Sequence, residues 1–119
     1  MNIKQGEVWE VEFFPKVGSE IGKKRPSVVV SHDLIGRLPL KTIVPITEWS
    51  SAFVNYPWML KLTVSKNNGL SKDSSVDCFQ VRNFSTQRFI RKIGELDEDV
   101  MVEIHNTILK TLNPKYKIA

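Results

Sequence analysis

The chain has 119 residues, 41% of them hydrophobic and 25% charged, with 17 lysines and arginines against 13 acidic residues for a net charge of +4. This is the composition of one modest globular domain spanning residues 1–119, with no apolar run near the roughly 18 residues of a membrane span and no basic-then-apolar leader. A single cysteine, Cys78, excludes an internal disulfide and a cysteine-built metal centre, so a cytoplasmic protein without metal or cofactor is expected.

The first segment, Glu7–Phe13, alternates polar and apolar residues with the period of a half-buried strand. A glycine-punctuated loop follows, and Lys23, Lys24 and Arg25 lead straight into Ser27–Ser31, a β-branched run suited to a strand buried on both faces. Thr42–Ile46 reads as a further strand, with Pro45 implying a sheet edge or a strand end. Trp58–Val64 alternates again, and Lys66–Gly69 has turn chemistry because Asn and Gly tolerate positive φ. Ser75–Val81 gives another strand, and a short helical turn is expected around Ser85–Ile90.

From Asp97 the period changes. Val100, Met101, Ile104, Ile108 and Leu112 fall at the spacing of an amphipathic helix. Asp97 is positioned to cap it, Glu98 and Asp99 suit the positive end of its dipole, and Asn113-Pro114 stops it. Short strands with one long basic loop, closed by a helix, predict a mainly β fold: a small antiparallel barrel with a C-terminal α-helix.

The charge is unevenly spread. Lys23, Lys24, Arg25 and Arg37 crowd one stretch, whereas the main acidic cluster lies at Glu95–Asp99 and Glu103, so the N-terminal half builds the basic face. Of the two histidines, His32 ends a strand beside the basic loop, while His105 lies on the flank of the helix and reads as structural. A paired-histidine ribonuclease site is therefore disfavoured.

Pro26 holds Arg25 extended and pins the base of a guanidinium that can fork onto a phosphate, although charge alone leaves Arg25 as a solvated strand-edge cation. Thr47 ends its strand with a hydroxyl that can donate to a phosphate oxygen, but most threonines so placed only cap a turn. Alternation puts Gln80 and Arg82 on one face of the Ser75–Val81 strand, with Asp77 on the opposite face from Cys78.

Four stretches, "GEVWEVEF" at Gly6–Phe13, "GSEIGKKRPSVVVSHD" at Gly18–Asp33, "TIVPIT" at Thr42–Thr47 and "QVRNFSTQRFIRKIGELDEDVM" at Gln80–Met101, resemble the MazF/PemK-like toxin family over nearly the whole chain. The resemblance implies an SH3-like barrel of the plasmid-maintenance toxin type. It also implies a homodimer and a sequence-selective endoribonuclease that acts on single-stranded RNA without metal or ribosome. A MazE-like acidic antitoxin is the implied partner, laid across the RNA groove.

The family's catalytic arginine and threonine fall on Arg25 and Thr47. Ser19 and Glu20, with the loop through Lys23 and Lys24, become a flap over the substrate. Gln80 and Arg82 join the RNA-contacting set by the same resemblance, and His32 joins it by its place at a strand end beside the basic loop. Two departures stand out: Ile21 replaces a glutamine common in the flap, and Phe79 replaces an acidic residue that one branch uses in catalysis, which favours a mechanism resting on Arg25 and Thr47.

Two rivals remain at this level. A barrel of the same superfamily binds DNA gyrase without cleaving RNA. A peptide-binding SH3-like adaptor would use an aromatic groove, for which Trp49, Tyr56 and Trp58 are the available rings, though they are expected to serve the core and a dimer contact.

Overall fold

Seven antiparallel strands curl against one C-terminal helix in the computed structural model, which describes residues 2–15, 17–20, 22–35 and 38–115. Ile21 and Arg37, singled out above, lie outside the described residues. The strands are β1 (Glu7–Glu12), β2 (Lys24–Val29), β3 (Leu40–Glu48), β4 (Met59–Leu62), β5 (Ser74–Asp77), β6 (Arg82–Ser85) and β7 (Phe89–Glu95), followed by the helix α1 (Glu98–Leu112). They pair in the order β4-β5-β3-β2-β1-β7, with β6 on the same edge of β3 as β5.

The hydrogen-bonded path is open, with β4 and β7 at its ends. Those ends meet through the turn between β4 and β5, where the Glu95 N–H donates to the Asn67 carbonyl at 2.9 Å. The approach is close enough that a Cβ on Gly94 would collide with the backbone of Asn67 and Asn68, and one on Gly69 with the Ile93 carbonyl. The expected barrel is thus present, sealed on this side by glycine contact instead of a ladder. Gly69 adopts φ +70°, as the turn requires, and Asn68 holds that turn by accepting from the N–H groups of Ser65 and Leu70.

Apolar residues fill both faces of the sheet. One cluster joins Val8, Val28, Val30, Val44, Ile46 and Val76 to Met101 and Ile104 of α1; the other joins Trp9, Val11, Phe13, Val29, Ile43 and Phe89. Each fully buried valine contributes roughly 1.5–3 kcal/mol. The Val28–Val30 run therefore serves two cores at once, as its unbroken apolar character predicts. The helical stripe packs through Val100, Met101, Ile104 and Ile108, but Leu112 is exposed, and Asp97 occupies the N-cap position without a side-chain capping bond. Among the described residues no helix is long and apolar enough to cross a membrane.

Two strand expectations and one helical turn need correction. Pro45 is fully buried in the middle of β3, not at an edge. The Val30 N–H donates to the Thr42 carbonyl, so Thr42, Val44 and Ile46 turn their backbone groups toward β2, and Ile43, Pro45 and Thr47 turn theirs to the other edge. That edge passes from β6, which pairs with Leu40–Ile43, to β5, which pairs with Ile46–Glu48. Pro45 sits in the gap, where its missing N–H costs no ladder bond.

The strand expected over Ser75–Val81 stops at Asp77, because the Asp77 side chain accepts from the Phe79 N–H at 3.1 Å and turns the chain. Finally, the short helical turn is only Thr86–Arg88, and β7 follows it. Two register irregularities against β1 break the alternation of β7, which hides it in the sequence.

Candidate functional site

The pairing of β2 with β3 runs from Val29↔Ile43 to Ser27↔Pro45 and stops there. The next residue of β2 with backbone groups facing β3 is Pro26, which has no N–H to give to the Ile46 carbonyl opposite it. The ladder ends, the strands part, and a cavity of about 400 Å³ opens between them. Its wall includes Arg25 and Pro26 on one side and Ile46, Thr47 and Glu48 on the other, with Arg91 and the turn at Gly69–Lys72 completing it.

Continued two residues past its last pair, the register sets Arg25 opposite Thr47. Thr47 is in turn opposite Ser75, so these side chains form one cross-strand row on one face. Arg25 is half-buried, and its Nε is a buried polar atom without a hydrogen-bond partner. The acids around the cavity have partners already: Glu10 faces Arg91 at 3.8 Å and Glu48 faces Lys72 at 3.2 Å. Arg25 is in no ion pair with a described residue, so its charge stays available to an anion entering the cleft.

On the same face, Arg82 opens β6 opposite Ile43. Its Nη1 donates to Glu20 Oε2 at 2.8 Å and its Nη2 to Gln80 Oε1 at 3.4 Å. The Gln80 amide donates to Asp77 Oδ2 at 3.2 Å, and Asp77 is 5% exposed. A relay of side chains therefore runs from a buried carboxylate to the loop between β1 and β2. Gln80 and Arg82 come together as expected, but across a turn and not along one strand.

The other expected residues are placed as follows. Ser19 is exposed in the β1–β2 loop, beside Glu20. Lys23 and Lys24 are exposed at the mouth of β2 and form no ion pair with a described residue; Lys23 takes φ 69°, a left-handed conformation that is costly for lysine, and its carbonyl accepts from Phe13 N–H at 2.9 Å. His32 lies beyond the other end of β2 from Arg25, where its Nδ1 accepts from the Leu34 N–H at 3.1 Å, so the structure does not bring it to the cleft. His105 donates from Nε2 to the Val30 carbonyl at 2.9 Å and anchors α1 to the sheet.

Sequence reading missed the part that Asp77 plays in bracing Gln80. The signal for Asp77 was Asx-turn chemistry, an aspartate whose carboxylate accepts from the N–H two residues on, here Phe79, which leaves its other oxygen for the Gln80 amide.

The aromatic residues expected in the core lie outside both apolar clusters. Trp49, Phe53, Tyr56, Trp58 and Phe79 form a surface ladder of rings with centroids 5.0–6.3 Å apart, the tightest contact being the Tyr56–Trp58 stack. Phe79 is 67% exposed and lines a second, apolar cavity with Trp58 and the last turns of α1. Among the described residues no group of three or more His, Cys, Asp or Glu is placed to hold a metal ion.

A model of the PemK-like, MazF-like toxin of type II toxin-antitoxin systems matches residues 4–112. The chain belongs to this family. It is 30% identical over 112 residues to the endoribonuclease MazF9 of Mycobacterium tuberculosis, a match that covers 89% of this chain and 92% of the relative. It is 29% identical over 108 residues to the endoribonuclease EndoA of Bacillus subtilis, covering 91% and 92%.

Among solved structures, the crystal structure of MazF from Deinococcus radiodurans superimposes with a TM-score of 0.80 at 23% identity, covering 96% of this chain and 99% of the other. A mycobacterial endoribonuclease solved in complex with its cognate antitoxin gives a TM-score of 0.71 at 14% identity, covering 97% and 99%. At these identities the superpositions establish the MazF-like fold, in which an antiparallel sheet carries one C-terminal helix.

Proposed function

We propose that this MazF-like toxin is an endoribonuclease that cleaves single-stranded RNA in the cleft between β2 and β3, and so arrests translation and growth. The observation that carries the reading is the row in which Arg25, with its partnerless Nε, stands opposite Thr47. The names of the sequence relatives support it.

The substrate brings its own nucleophile. A ribose 2′-hydroxyl attacks the adjacent phosphorus, the P–O5′ bond breaks, and the products end in a 2′,3′-cyclic phosphate and a 5′-hydroxyl. No protein nucleophile, metal or ribosome takes part. Arg25 neutralises the dianionic transition state through its fork of N–H donors, and the Thr47 hydroxyl donates to a non-bridging oxygen. Ser19, Lys23, Lys24, Gln80 and Arg82 hold the flanking phosphates and bases; His32 would reach only a longer RNA that runs along β2. A site of this kind works in the cytoplasm and is restrained there by an acidic, MazE-like antitoxin.

The toxin acts as a homodimer. The exposed rings of Tyr56 and Phe79, together with Leu109 and Leu112, leave apolar surface for a second copy to cover. A monomer mass by light scattering at micromolar concentration would refute this.

The cleavage test uses an oligoribonucleotide in EDTA and a matched oligonucleotide carrying one deoxyribose at the cut site. Scission of the first alone, leaving a cyclic phosphate, is expected. Scission of the deoxy-substituted strand at that position would overturn the mechanism. The rival readings, a gyrase-binding barrel and a peptide adaptor, predict no scission of either strand.

A further inference from the structure

We infer that Glu20 is an intramolecular stand-in for substrate, its carboxylate occupying a phosphate subsite built around Arg82. Resting on the ribonuclease reading, the inference adds a subsite that opens only when Glu20 yields to a phosphodiester.

The two partners are anchored very differently. Arg82 starts a strand whose opposite residue, Ile43, is fully buried, and Gln80 and the nearly buried Asp77 brace its guanidinium from behind. Glu20 belongs to the loop between β1 and β2. Its other hydrogen bonds with described residues stay within that loop: Oε1 accepts from the Val17 N–H at 2.9 Å, and its own N–H donates to the Val17 carbonyl at 3.1 Å. Arg82 is a fixed cation, and Glu20 is the adjustable anion.

The ion pair itself is not needed to hold the fold. The side chains are 23% and 39% exposed, and pairs this open to water add little to stability. What the contact does is occupy Nη1 of the guanidinium with one carboxylate oxygen, a place that a phosphate oxygen fits equally well. The location suits a phosphate. Arg82 lies on the same sheet face as Arg25, two cross-strand rows away, or roughly 13 Å along the strands. A single-stranded chain entering at Arg25 reaches Arg82 with a phosphate about two linkages further along.

The test measures binding of a fluorescent, mixed-sequence 2′-O-methyl oligonucleotide, which has no free 2′-hydroxyl and is not cleaved. Glu20→Gln keeps the shape of the loop contact and removes its charge. It should tighten binding about two- to fivefold, the strength of an exposed ion pair. It should change the slope of log K against log salt by less than about 0.7, the value of one phosphate contact, because Arg82 meets the phosphate in both proteins. Arg82→Ala should weaken binding, and in that background Glu20→Gln should have no effect.

Weaker or unchanged binding by Glu20→Gln, or an equal gain with and without Arg82, would overturn the inference while leaving the ribonuclease reading standing. Failure of the wild-type protein to bind the oligonucleotide at any salt would instead sink the RNA reading itself.

Discussion

Arg25 and Thr47 face each other across a gap in the sheet that one missing hydrogen atom creates. Pro26 is the next residue of β2 due to bond β3, and it has no N–H for the Ile46 carbonyl. Replacing Arg25 by alanine should lower RNA cleavage by roughly 10³-fold, the scale of losing a transition-state donor, with the circular dichroism spectrum unchanged. Arg25→Lys should recover little, because an ammonium lacks the guanidinium fork. Wild-type cleavage by either variant would remove Arg25 from the mechanism.

Pro26→Ala supplies the absent donor. The ladder should extend by one bond and draw the cleft walls together. Stability should stay within about 1 kcal/mol of wild type, since a new hydrogen bond and the loss of proline's rigidity in the unfolded chain are of similar size and opposite sign. Cleavage should nevertheless fall by up to about 10²-fold, because a displacement of about 1 Å at a reacting group is enough for that. Amide exchange reads the bond directly: a new N–H at position 26 that exchanges like an open loop would refute the account.

Gly94→Ala should destabilise the fold by about 1–3 kcal/mol, measured as a shift in the urea midpoint, because its Cβ would enter the Asn67–Asn68 backbone where the barrel seals. Gly18→Ala is the control. Gly18 also has positive φ, at +57°, but nothing lies within 4 Å of its would-be Cβ, so only about 1 kcal/mol of backbone strain is expected. Equal costs at the two positions would argue against a packed seam.

Cys78 is fully buried in the turn after β5, and burial, with the neighbouring Asp77 charge, pushes its thiol from an ordinary value of 9.0 up to about 12. The folded state therefore keeps a proton that the unfolded chain releases. Stability contributed by this group is complete below pH 9.0 and declines between pH 9.0 and about 12, by up to roughly 1.4 kcal/mol per pH unit. Cys78→Ser should flatten that decline in denaturation curves taken from pH 8 to 10.5. The native thiol should also react with maleimide only as fast as the protein unfolds.

Much of this was legible in the residues themselves. The two-faced valine run, the helix from Glu98 and the turn at Asn67–Gly69 each follow from local chemistry that tertiary contacts leave alone. What escaped was set by pairing. Pro45 looks like a strand end until two different strands are seen to share one edge of β3. β7 hides because its alternation slips twice against β1. In the candidate site, the motif resemblance pointed to Arg25 and Thr47, but the braced position of Arg82 depends on Asp77, which looked like one more polar residue on a strand. His32 adjoins the basic loop in sequence, yet β2 carries it to the far end of the sheet.

The pairing of β1 with β7 joins the first strand of the chain to the last. Until Phe89–Glu95 has been synthesised, β1 has a bare edge, and the core beneath it still lacks Met101 and Ile104. Contacts this distant in sequence form slowly and only once the intervening chain is available. A ribosome making this protein therefore holds an incomplete sheet until residues 89–104 have emerged, and the cleft acquires its final shape only then. The delay sets a natural interval between translation of the cleft residues and the first competent copy.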